Sequence, residues 1–98
     1  MPRRRKFSNQ PLGDTVQRLM SENGHTYRAL ADATGLSAGY LNHIVHGNRP
    51  VPSNEVVERL AKALGVDAAH FREYRLRVVV GELEKSPELI DRLYKRYG

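Results

Sequence analysis

Tyr40, Asn42, His43 and His46 crowd hydrogen-bonding groups into one short stretch of the chain. On a helix, Gly39, Asn42, His43 and His46 fall together, while Leu41, Ile44 and Val45 fall on the opposite side. The Asn42 amide carries a donor and an acceptor and can pair bidentately with adenine, and the His43 ring can donate to a guanine acceptor. Tyr40 adds a hydroxyl for a base or phosphate and a ring for a thymine methyl. The small Ala38 and Gly39 let the start of the helix come close. An apolar back and a small polar front on so short a helix suit reading base edges in a DNA major groove. No Arg or Lys lies on this helix, so the strongest guanine contact is missing from it. The alternative use of the same face is binding another protein.

Other chemistry is excluded by residue type. There is no cysteine, which removes disulfides, thiolate catalysis and cysteine-based zinc sites. His43 and His46 sit three apart, but two imidazoles do not make a metal site, and neither His25 nor His70 has a forced place beside them. Ser53 with Glu55 reads as helix capping, and no nucleophile–base or paired-carboxylate set stands apart from structural needs. No catalytic residue, cofactor or metal is expected, and no enzymatic step.

The formal charge of +5 is unevenly spread over the 98 residues. Arg3, Arg4, Arg5 and Lys6 hold almost the whole excess, and the basic and acidic residues of 11–66 balance. Residues 1–10 read as a flexible basic arm with no apolar face to bury. The arm either follows phosphates or a minor groove, or remains a solvated tail. No apolar run approaches the roughly 20 residues of a membrane span, and the arm lacks the apolar core of a secretory signal. A cytoplasmic location is expected.

Short helices must position these residues. Leu12, Val16, Leu19 and Met20 place a first helix over about Pro11 to Glu22, ended by Asn23-Gly24. Thr26 can cap a second helix. Gly35 follows it where a positive φ is needed, and Ser37 can cap the third helix. Pro50 and Pro52 forbid helix in the loop that follows. Ser53 caps a fourth helix, whose stripe is Val56, Val57, Leu60, Ala61 and Leu64. The helix openings attract anions, which makes Tyr27, Arg28 and Ser37 phosphate candidates, with exposed His46 at the far end.

The run Leu30-Ala31, Gly35-Leu36-Ser37, Tyr40-Leu41 and Gly47-Asn48-Arg49-Pro50, followed by Val56-Val57 and residues 60–66, resembles the helix-turn-helix domain of the Cro and lambda-repressor (XRE-type) superfamily over residues 11–66. The resemblance implies an all-α fold, a lambda-repressor-like domain of four to five helices with a helical extension. It also implies a bacterial or phage regulator of transcription, such as a repressor at the nucleoid, that binds double-stranded DNA. Asn48 and Arg49 stand where the family touches the DNA backbone. Tyr27 and Ala38 replace the glutamines common at the starts of the two helices, so the family's base preference does not carry over.

Residues 67–98 exceed that minimal domain. With Asp67 as cap, residues 68–84 form a helix apolar on two sides, Phe71, Tyr74 and Val78 against Ala69, Leu76, Val79, Val80 and Leu83. A short strand over 76–80 is the alternative, because Val78-Val79-Val80 is β-branched. Ser86-Pro87-Glu88 opens a last helix, with Leu89, Ile90, Leu93, Tyr94 and Tyr97 along one side. Val79, Val80, Leu83, Leu89, Ile90, Leu93, Tyr94 and Tyr97 either pack within the chain or form a dimer interface. The expected function is a homodimeric, sequence-specific regulator on a (pseudo)palindromic operator. Its alternatives are an antitoxin-type autorepressor whose last helices bind a partner protein, and a protein-interaction module without a DNA role.

Overall fold

A computed structural model describes residues 7–47 and 50–98 of the chain. In order these form α1 (Leu12–Asn23), α2 (Tyr27–Thr34), α3 (Ala38–Val45), α4 (Asn54–Leu64), a 3-10 turn (Ala68–His70), α5 (Arg72–Glu84) and α6 (Pro87–Tyr97). The described residues contain no strand, and Leu76 to Val80 lie in mid-helix.

Local chemistry sets most of the helix starts. The hydroxyls of Thr26, Ser37, Ser53 and Ser86 accept from the N–H groups of Ala29, Tyr40, Val56 and Leu89 at 3.0, 3.0, 3.3 and 3.3 Å. Each satisfies a donor that the first helical turn cannot. Gly35 leaves α2 at φ 78°, in the left-handed region, and donates to the Ala31 carbonyl. That conformation turns the chain into α3 at little cost only for glycine.

α1 to α4 enclose one core. Val16, Leu30, Leu41, Val57 and Leu60 are wholly buried, and Phe71 closes the core from beyond α4. Phe71 also breaks the expected continuous helix over 68–84. Its backbone is extended, at φ −87° and ψ 129°, between the 3-10 turn and α5. Burying a phenylalanine is worth about 1.5–3 kcal/mol, more than continuing the helix through one residue gains. Val78, grouped with Phe71 and Tyr74 on one side of the expected helix, is exposed.

The start of α1 is held from a distance. Pro11 offers no side-chain cap, and the Leu12 N–H instead donates to Glu73 Oε2 of α5 at 3.1 Å. Ser8, expected within the flexible arm, is buried. Its N–H donates to the His70 carbonyl at 3.0 Å, and its hydroxyl lies 2.7 Å from Thr15 Oγ1. Arg75 donates to the Ser8 carbonyl at 2.8 Å, and its guanidinium stands 4.8 Å from the centre of the Phe7 ring. Arg72 donates to the Asn9 carbonyl at 2.9 Å. Tyr74 donates to Glu58 Oε2 of α4 at 2.8 Å, and this bond to a carboxylate pushes the phenol above its ordinary pKa. The first turns of α5 therefore dock by polar side chains, while none of its residues is fully buried.

Candidate nucleic-acid interface

α3 presents the face that the residue spacing implies. Leu41, Ile44 and Val45 are buried, while Ala38, Gly39, Asn42 and His43 are exposed together. Tyr40 differs: it is half-buried and packs on the core, so the body of the ring is committed to structure. Ser37 Oγ accepts from the Tyr40 N–H, which leaves the first N–H groups of α3, at Ala38 and Gly39, outside the intrahelical ladder. An anion approaching this end meets donors and the positive end of the helix dipole.

His46 closes the other end. Its Nδ1 lies 2.9 Å from the Asn42 carbonyl, so Nδ1 carries the proton and donates. In the neutral ring Nε2 is then an acceptor, and the side chain can bind phosphate only as the imidazolium. At the start of α2, Arg28 is exposed, and Tyr27 is half-buried against the core. Arg3, Arg4, Arg5, Lys6, Asn48 and Arg49 lie outside the described residues. Among the described residues no group of three His, Cys, Asp or Glu side chains is placed to hold a metal ion.

Two positioning features leave no motif in the sequence. Gly13, in the first turn of α1, faces the end of α3. A Cβ there would lie 2.5 Å from the Val45 carbonyl oxygen and 2.7 Å from that of Ile44. α3 is thus seated directly on α1, and only hydrogen fits at residue 13. Arg77 of α5 holds the loop that follows α3, donating to the Val51 and Pro52 carbonyls and to Asn54 Oδ1. Its one sequence signal is a cation set between Leu76 and Val78.

The residues expected at a dimer interface fall on α5 and α6, which pack on each other. Val79, Val80, Ile90, Tyr94 and Tyr97 are exposed, and Leu83, Leu89 and Leu93 are half-buried. With Leu76 they leave an apolar face uncovered by any described residue, and Val78 is exposed on the opposite side of α5.

A capped pair of short helices around Gly35, seated on α1 and α4 with a small polar face outward, defines a helix-turn-helix fold. The sequence profile of the helix-turn-helix domain family matches residues 11–74, and the chain belongs to that family. The HTH-type transcriptional regulator RamB of Mycobacterium tuberculosis is 35% identical over 79 residues, which cover 81% of this chain but 16% of RamB. The clp gene regulator ClgR from Corynebacterium glutamicum has a similar fold, with a TM-score of 0.56, 28% identity and 84% of each chain covered. So does the master regulator for biofilm formation SinR in its complex with DNA, at TM-score 0.55 and 25% identity, over 57% of this chain and 89% of that one. The fold of the SinR–SinI complex is also similar, at TM-score 0.59 and 15% identity, over 88% of this chain and 89% of that chain.

Proposed function

We propose that this chain is a DNA-binding regulator of transcription that acts as a homodimer on a two-fold symmetric operator in a bacterial cytoplasm. The observation that carries the reading is the exposed set Ala38, Gly39, Asn42 and His43 on a helix whose other side is buried. α3 would enter the major groove. Asn42 and His43 would meet base edges, and Tyr27, Arg28, Ser37 and the loop after α3 would meet phosphates. That SinR was solved in complex with DNA and that RamB is a transcriptional regulator support this reading.

Selection of bound sequences from random DNA tests it. Enrichment should yield two inverted half-sites whose centres lie about one helical turn, 10–10.5 base pairs, apart. No enrichment at low salt rejects a DNA role and favours a protein-interaction module.

The uncovered apolar face of α5 and α6 supports pairing, since two copies must be held in fixed geometry to read two half-sites. Ile90→Glu places a charge on this face and should halve the sedimenting mass without changing helix content. An unaltered dimer mass would move the interface elsewhere. A wild-type chain that is already monomeric would favour the autorepressor whose last helices bind a partner protein.

A further inference from the structure

Arg77 is half-buried on α5, yet its guanidinium reaches back to the loop between α3 and α4. Nη2 donates to the Val51 carbonyl at 2.9 Å, and Nη1 donates to the Pro52 carbonyl and to Asn54 Oδ1, the latter at 3.0 Å. One planar cation thus satisfies three acceptors across 23–26 residues of sequence. A lysine ammonium on a flexible stem does not reproduce that fork. Pro50 and Pro52 have no N–H to donate, so this loop has little means of fixing itself by a backbone ladder.

The chain leaving the reading helix is consequently held at two places. Val45 rests against Gly13 of α1, and Val51, Pro52 and Asn54 are held by Arg77. The backbone-contact candidates Asn48 and Arg49 lie between those two anchors in sequence.

We propose that Arg77 is a positioning residue for DNA binding, fixing the exit of the reading helix so that its phosphate contacts are made. Arg77 does not itself touch DNA. The proposal rests on the reading that α3 faces the groove.

Operator affinity of the full chain, measured across salt concentrations together with melting temperature, tests it in Arg77→Ala, Arg77→Lys and Tyr74→Phe. Losing one phosphate contact flattens the plot of log affinity against log salt by about 0.9. Arg77→Lys keeps the charge but loses the fork, so it should show that flatter slope and about tenfold weaker binding. Arg77→Ala should do the same or more. Tyr74→Phe removes another α5 bond to α4, the one to Glu58, and should lower the melting temperature while leaving the slope unchanged. A wild-type slope in Arg77→Lys overturns the proposal, even if Arg77→Ala fails to fold. So does an equal change of slope in Tyr74→Phe, which would make the effect one of general stability. If the unaltered chain binds no DNA, the proposed function itself fails and this inference with it.

Discussion

Gly13→Ala is expected to destabilise the domain by about 2–3 kcal/mol and to lower its melting temperature by roughly 10–20 °C. The added methyl would stand 2.5 and 2.7 Å from two carbonyl oxygens at the end of α3. Both are backbone atoms, so no rotamer change relieves the clash; α1 and α3 must move apart. In an open helical site the same substitution stabilises, because alanine loses less conformational freedom than glycine. Gly81 of α5 is such a site, with nothing within 4 Å of the point where an added methyl would stand. Gly81→Ala should raise stability by about 0.5–1 kcal/mol. Thermal unfolding of the two variants should therefore shift in opposite directions. A Gly13→Ala chain that melts like the parent would mean that α1 does not seat α3. Because α3 moves with this contact, the variant should also lose operator affinity below its melting temperature.

The contrast between the two glycines marks what sequence reasoning reaches. Capping acts over two or three residues, so Thr26, Ser37, Ser53, Asp67 and Ser86 are legible as a residue type beside an apolar period, and each accepts the expected bond. Gly35 is legible for the same reason, since its positive φ follows from a turn between two adjacent helices. Gly13 is not, because what it avoids lies on α3. Glu73, Arg75 and Arg77 are equally silent: their partners are 61, 67 and 26 residues away, and a lone charge in a helix ordinarily means a solvated one. Ser8 reads as part of a polar arm because the lone Phe7 beside it makes no apolar face, yet it is buried once His70, Thr15 and Arg75 satisfy its polar groups. The two apolar sides of residues 68–84 require two covers if the segment is one helix. The chain instead breaks at Phe71, sends that ring into the core, and docks α5 through polar hooks, which leaves Leu76, Val78, Val79 and Val80 outside.

The exposed face of α3, proposed to read bases, carries the second large effect. Replacing both Asn42 and His43 with alanine should lower the preference for operator over random DNA by about 2–4 kcal/mol, or roughly 30- to 1,000-fold, since a good bidentate base contact is worth about 1–3 kcal/mol. Folding should be unaffected: both side chains are exposed, and alanine is the best residue for a helix interior. Binding to random DNA should persist with its salt dependence intact, because the phosphate contacts lie on other residues and neither removed group supplies a fixed charge. His46→Ala separates the two roles on the same helix. It removes the bond from Nδ1 to the Asn42 carbonyl and a candidate phosphate ligand, so it should weaken operator and random DNA alike. The decisive quantity is the ratio of the two affinities at one salt concentration. If that ratio survives in the Asn42/His43 double variant, the exposed side of α3 does not read sequence, and the helix-turn-helix would serve as a docking surface for protein.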